Sequence, residues 1–256
     1  MVDMHSHILW NVDDGPKTMA DTMRLFEQAV KEGIKEIIAT PHCYHPLYHA
    51  NYNAVKNQIH LLQSELTKKS IPLTLFTGHE VRLSEKIIPL YKTNQIHTLA
   101  CSNYMLLELP SYTVPAYTIS IIRALLSEGI TPIIAHPERN KAIVERPVNL
   151  ERLICEGAKA QITAGSLAGY FGRTIQKRSL ELVRANLVHT YGSDVHNQSS
   201  RPFFFDAGLC YLEKKKELDS IDILLENNAR IIENQPFIIQ EPCKIEVRKW
   251  WKIFKH

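Results

Sequence analysis

The sequence predicts an α/β protein organised on a parallel sheet, and three observations carry that prediction. Short β-branched runs alternate with amphipathic helical stretches from one end to the other, the pattern of repeated βα units. Three helices close with the same kind of junction, Glu32-Gly33-Ile34, Glu128-Gly129-Ile130 and Glu156-Gly157-Ala158. Glycine there supplies a left-handed cap and the chain turns directly into a strand, so a βα unit recurs without a solenoid-type repeat. At 256 residues and 45% apolar content, the chain matches one large domain, 1–256, with a sizeable core.

The elements follow in order. An apolar start runs through His5 and His7 as the first strand, and the turn Asn11 to Pro16 carries Asp13 and Asp14. Met19, Met23, Phe26 and Val30 recur at helical spacing after a Thr18…Asp21 capping signal, and Gly33 ends that helix. The second strand, 35–40, exits at Pro41-His42. A polar segment, 44–53, leads into a helix to about Lys69 with Ile59, Leu62 and Leu66 on one face. Strand three, 73–78, precedes His79-Glu80; a helix near 84–91 leads to strand four, 104–109, which contains Glu108. Ile119, Ile122 and Leu126 mark the next helix, then strand five, 130–135, exits at His136. A short helix at Leu150, Leu153 and Ile154 precedes strand six, 159–163. A helix over 173–185 precedes strand seven, 187–191, whose exit holds Asp194 and His196. Residues 212–228 read as one charged helix, which 229–234 extend, and Pro236 and Pro242 break the tail.

Composition narrows the function classes. A net charge of +3 does not indicate a nucleic-acid partner. Five scattered cysteines without a Cys-x-x-Cys pair argue against a disulfide framework or zinc ribbon and for a reducing compartment. With no signal-peptide pattern and no apolar run of membrane-spanning length, a cytoplasmic protein without a transmembrane segment is expected. The tail, 243–256, is basic and aromatic. Its tryptophans either pack back on the body of the protein or meet an acidic membrane surface or another subunit, and a homo-oligomer stays open.

Twelve histidines are many for this length and direct attention to metals or proton transfer. In an extended strand His5 and His7 point to the same side, as two imidazole ligands on one ion require. His42, Glu80, Glu108, His136, Asp194 and His196 fall at further strand ends, and only strand six lacks such a residue. Loops at the carboxyl ends of parallel strands converge, so residues scattered in sequence can meet there. A mixed imidazole and carboxylate set without thiolate suits Mn²⁺, Fe²⁺ or Zn²⁺. A carboxylate-bridged pair of ions, about 3.5–4 Å apart, lowers the pKa of a bound water, which suits phosphoester hydrolysis. Arg139 and Arg201 lie just beyond His136 and His196, and a guanidinium fork matches a phosphate. A cysteine phosphatase is excluded, because no cysteine has an arginine six residues on.

Together, His5-x-His7, Asp13-Asp14-Gly15, Thr40-Pro41-His42, Gly78-x-Glu80, the Glu108 strand, Ala135-His136-Pro137-Glu138-Arg139 and Ser193-Asp194-x-His196 resemble the polymerase and histidinol phosphatase (PHP) superfamily. They are most similar to its capsule-type tyrosine-phosphatase branch from Gram-positive bacteria. That resemblance implies a distorted (βα)7 TIM-like barrel with a metal site at the C-terminal face of the strands, up to three ions, commonly Mn²⁺. It also implies hydrolysis of phosphotyrosine on bacterial tyrosine kinases that control polysaccharide export. Carried over by position, His5, His7, Glu80 and Asp194 hold one ion, Asp14, His42 and His196 a second, and Glu80, Glu108 and His136 a third. Arg139 and Arg201 grip the phosphoryl group, a metal-bridging hydroxide attacks, and Asp13, His45 and Tyr48 are candidate helpers. Two alternatives stand beside this reading: a small-molecule phosphatase acting on histidinol phosphate or a nucleotide, and a non-catalytic metal-binding regulatory module.

Overall fold

A computed structural model describes residues 1–243, and every strand pairing among them is parallel. The elements are β1 (Val2–Ser6), α1 (Met19–Lys31), β2 (Glu36–Ala39), β3 (His42–Cys43), α2 (Tyr52–Lys68), β4 (Thr74–Thr77), β5 (Glu80–Arg82), α3 (Ile87–Lys92), β6 (Tyr104–Glu108), α4 (Thr118–Ser127) and β7 (Thr131–Ile134). Then come α5 (Lys141–Glu145), α6 (Val148–Cys155), β8 (Lys159–Thr163), α7 (Ala164–Ala168), α8 (Arg173–Arg184), β9 (Thr190–Gly192), α9 (Phe205–Lys214) and α10 (Leu218–Ile232). β1, β2 and β4 form one sheet; β3, β5, β6, β7, β8 and β9 form another, in that order. Two backbone bonds tie the exit of β9 to β1: Asp194 N to His5 O at 2.8 Å and His7 N to Val195 O at 2.9 Å. The result is a curled parallel α/β sheet of TIM-like character.

Local chemistry explains the elements. At the start of α1, Thr18 Oγ1 accepts from Asp21 N while the Asp21 carboxylate accepts from Thr18 N, a reciprocal cap. Gly33, Gly129 and Gly157 take φ of 77°, 76° and 100° at the three helix-to-strand junctions, as the sequence predicts. Strand β6 is buried along its whole length, as a parallel strand covered on both faces should be. Its Leu106 joins Met4, Ile38, Ile133, Ile231 and Phe237 in a small apolar cluster, separate from the main core. Glu108, two residues on, lies on the same side of the strand, so an apolar plug sits beneath an ionisable rim.

Several expectations shift. Glu80 and His42 do not follow their strands; each opens a short new segment, β5 and β3, after a two-residue break. In register they are direct partners, His42 opposite Glu80 and Arg82 opposite Glu108. Strand seven is shorter and later than expected, at 190–192. The single charged helix expected from 212 is two helices, α9 and α10, because Lys216 adopts a left-handed φ of 63° between them. Residues 244–256, most of the basic tail, lie outside the described residues.

Candidate metal centre

The sequence-predicted residues reach one rim, formed by the end of β1 and the turn after it, the starts of β3 and β5, the end of β6 and the segments after β7 and β9. Three sets place their ligand atoms within 4.8 Å of one another: His7 with Asp14, His42 and His196; His5 with His7 and Glu80; and His42 with Glu80 and Glu108. Glu80 is the hub. Its Oε1 lies 2.7 Å from His136 Nε2 and 3.6 Å from His5 Nε2, and its Oε2 lies 2.9 Å from His42 Nδ1 and 3.3 Å from His7 Nε2. Asp194 Oδ1 stands 3.4 Å from both His5 Nε2 and His7 Nε2. Asp14 Oδ1 stands 3.1 Å from His196 Nε2 and 3.6 Å from His42 Nε2. By proximity, His7 also joins the Asp14 set, and His42 joins Glu80 and Glu108, while His136 approaches the group through Glu80.

These residues fit divalent cations on a direct structural test. Asp14 Oδ1, His42 Nδ1, Glu80 Oε2, Glu108 Oε2 and His196 Nε2 are all buried, and none makes a hydrogen bond of proper geometry among the described residues; they face one another, His42 Nδ1 toward Glu80 Oε2 and His196 Nε2 toward Asp14 Oδ1, with Arg82 beside Glu108. Buried polar atoms are ordinarily paired, and orphans this concentrated point to a shared ion. The opposite ring nitrogens are engaged elsewhere, which fixes the tautomers. His5 Nδ1 donates to Gln161 Oε1 at 3.0 Å, His7 Nδ1 to Asp13 Oδ2 at 2.7 Å, and His196 Nδ1 to Asp194 O at 2.9 Å. Such outer partners orient an imidazole and raise its basicity as a ligand.

The backbone is bent to suit the site. His136 and Asp194 both hold left-handed φ, 34° and 55°, a conformation costing roughly 1–3 kcal/mol for residues other than glycine. Close approach of β9 to β1 needs Gly192, since an added Cβ would lie 2.7 Å from His5 Cβ. Asp3 fixes the same junction, accepting from Ser193 N at 2.9 Å and from Ser193 Oγ. Burial raises the Asp3 carboxyl to about 6, against the hydrogen bonds from Ser193.

Charge is dense here. Burial alone would raise the Glu80 carboxyl, yet His5 and His42 hold it well below the usual range. Burial likewise opposes ionisation of Asp194, and Arg139 and Arg201 overcome it. Burial opposes protonation of His5 and His7, but Glu80 and Asp194 raise the first and Asp13 the second. A field that draws protons onto these imidazoles also draws cations, which compete for the same lone pairs. His196 is pushed down to about 4, by burial and then by His7.

Beside the cluster opens a cavity of about 280 Å³ lined by Glu108, Ser111, His136, Arg139, Asn140 and Arg201, among others. Both guanidinium groups bond Asp194 Oδ2, Arg201 Nη2 at 2.8 Å, leaving Asp194 Oδ1 to the histidines. Arg139 Nε is buried with no partner among the described residues, and its guanidinium stacks over Phe171 at 5.0 Å. A free, oriented donor on a cationic wall is suited to an anion.

Sequence reading missed Gln161. Strand six looked empty, but Gln161 braces His5 and also accepts from His136 N at 3.1 Å. The signal was available: a glutamine on an otherwise apolar buried strand. Arg82, which meets Glu108 Oε2 at 3.1 Å, was also missed. Asp13 proves to be an orienting group, also accepting from His42 N at 3.0 Å. Burial opposes its ionisation, but His7 keeps its carboxyl low. His45 and Tyr48 stack on His42 at 4.6 and 5.9 Å.

Comparison with known proteins follows the same lines. The family described as "Capsular polysaccharide synthesis, CpsB/CapC" matches residues 1–233. The putative tyrosine-protein phosphatase CapC of Staphylococcus aureus is 38% identical over 251 residues, covering 98% of each chain. Tyrosine-protein phosphatase YwqE of Bacillus subtilis is 38% identical over 254 residues, 99% of this chain and 100% of the relative. A solved structure from work on YwqE of Bacillus subtilis and CpsB of Streptococcus pneumoniae, described as unique metal-dependent tyrosine phosphatases, aligns with a TM-score of 0.92. It is 39% identical, over 95% of this chain and 100% of that one.

Proposed function

We propose that this chain, which belongs to the CpsB/CapC family of capsular polysaccharide synthesis, is a metal-dependent protein-tyrosine phosphatase. One observation carries the reading: buried ligand atoms of Asp14, His42, Glu80, Glu108 and His196, without well-formed hydrogen bonds, gather beside a cavity walled by Arg139 and Arg201. The names of the relatives support it. We read the two sheets as one distorted (βα)7 barrel, a single PHP-type domain in the cytoplasm. Its ligands would be His5, His7, Asp14, His42, Glu80, Glu108, His136, Asp194 and His196, holding up to three ions, with Mn²⁺ favoured over Fe²⁺ or Zn²⁺. The substrate would be phosphotyrosine on a bacterial tyrosine kinase of capsule synthesis.

When bound, such ions activate water and neutralise phosphoryl charge. The protein's own groups do the rest. Arg139 and Arg201 would orient the phosphoryl oxygens, which requires their forks to turn from Asp194 toward the substrate. Asp13 and Gln161 hold His7 and His5 with Nε2 presented to the site. The leaving phenolate has a pKa near 10, about five units below an alkoxide, so a strong side-chain acid is unnecessary. Cys43, next to His42 in β3, offers no thiolate nucleophile, for it is buried and its thiol is pushed up to about 12.

The test is turnover by the Mn²⁺-loaded full chain. Phosphotyrosine peptides should be hydrolysed far faster than histidinol phosphate, and Arg139→Ala should lower kcat/KM on the order of 10²-fold. Preference for histidinol phosphate or a nucleotide would favour a small-molecule enzyme, and no turnover with metal bound would favour a regulatory module. Trapping a phosphorylated protein after acid quench would exclude direct attack by water.

A further inference from the structure

A second cavity, about 400 Å³, is lined by the continuation of two segments that line the first. Leu109 and Ser111 line the metal-side cavity and Thr113 to Ala116 the second; Asn140 lines the first and Ala142 the second. Ser111 and Thr113 are two residues apart, as are Asn140 and Ala142, so along each segment the two linings come within about 7 Å of each other. The ridge between the cavities is rigidly held. Asn140 Nδ2 donates to Pro110 O at 2.7 Å and to Thr113 O at 3.0 Å, and Lys141 N donates to Ser111 O at 2.9 Å. On that ridge stands Tyr112, 74% exposed, where a loop tip ordinarily carries a small polar residue. Behind it, Val114, Pro115 and Ile119 give the second cavity an apolar floor, and Arg152 supplies its one charge. Arg152 is exposed and makes no ion pair among the described residues, and the same holds for Lys141 at the ridge.

We infer that this second cavity is a subsite for the peptide flanking the phosphotyrosine, selecting an acidic side chain within three residues of it. The inference rests on the phosphatase reading above. Distance supports it, because two or three extended residues cover roughly 7–10 Å, enough to pass from the phosphoryl cavity over the ridge. Charge supports it as well: an apolar floor with a lone guanidinium accommodates a side chain of aliphatic stem and carboxylate head. Tyr112 would pack against the crossing backbone, contributing contact without sequence preference.

The experiment uses the Mn²⁺-loaded full chain and three substrates: a phosphotyrosine peptide with glutamates at the flanking positions, its lysine counterpart, and p-nitrophenyl phosphate. The wild type should prefer the glutamate peptide. Arg152→Glu should lower kcat/KM for it roughly five- to tenfold and raise that for the lysine peptide, as reversing an exposed charge pair does. The ratio of peptide to p-nitrophenyl phosphate turnover reports the effect independently of metal loading. Tyr112→Ala should raise KM for both peptides with kcat held. An Arg152→Glu enzyme with the wild-type preference between the peptides would overturn the subsite while leaving the phosphatase reading intact. Failure of the wild type to hydrolyse any phosphotyrosine peptide would overturn the underlying reading instead.

Discussion

Two groups of buried histidines divide this molecule by what surrounds them, a rim group set among carboxylates, in which burial still holds His136 and His196 down, and a group away from it. At the rim, His5 and His7 are fully buried yet drawn toward protonation by Glu80, Asp194 and Asp13. Away from it, His79, His97 and His189 are equally enclosed, and burial pushes each down, His189 to about 3. The second group serves the backbone. His79 Nδ1 accepts from His97 N at 2.9 Å, His97 Nε2 donates to Tyr52 O at 2.9 Å, and His189 Nδ1 accepts from Ala160 N at 3.2 Å. Burial of an imidazole therefore says little about metal binding. What separates the groups is carboxylate density: Glu80 alone approaches four rim histidines, while no carboxylate pairs with His79, His97 or His189 among the described residues.

The comparison can be broken most decisively at its hub. Glu80→Gln keeps the shape and removes the charge shared by His5, His7, His42 and His136, so kcat/KM should fall on the order of 10³-fold with loss of bound Mn²⁺ by elemental analysis. Retained activity would dissolve the distinction. Asp13→Asn is subtler: it weakens the orientation of His7 and should lower Mn²⁺ affinity about 10–100-fold by titration, recoverable at high metal. In the other group, His97→Ala removes a ring stacked on Tyr52 at 3.6 Å. Chemical denaturation should show a loss of about 1–3 kcal/mol, with kcat unchanged. The smallest effect concerns pH. His189 binds its proton near pH 6.5 when unfolded but only near 3 when folded, so between those values the unfolded chain holds more protons. Its contribution to stability is present above pH 6.5 and is lost as pH falls toward 3. His189→Gln should flatten that part of the metal-free stability curve.

Much of this was legible in the sequence, for physical reasons. Period and capping located most helices, because Thr18, Gly33, Gly129 and Gly157 each meet a local backbone need. That the candidate ligands would gather at one rim was readable because parallel strands deliver their ends to one face. Less readable was anything set by tertiary packing. That His42 and Glu80 open separate strand segments depends on register, not on local propensity. Lys216 breaks the expected charged helix through a left-handed φ that lysine does not signal. Gln161 was passed over because an amide is a poor ligand, although it braces His5 and the backbone of His136.

Asp194 serves two neighbourhoods at once, one oxygen toward imidazoles and the other toward paired guanidinium groups. Whatever occupies one side changes what the other side is offered. A cation held at Oδ1 would weaken the hold of Oδ2 on the arginines, and an anion that claimed the arginines would free Asp194 for the cation. Were a cation and an anion to occupy the two sides, their binding would be linked, and linkage of this kind is reciprocal. Orthophosphate, the spent half of the reaction, should bind more tightly to the metal-loaded protein and in turn slow the ions' escape.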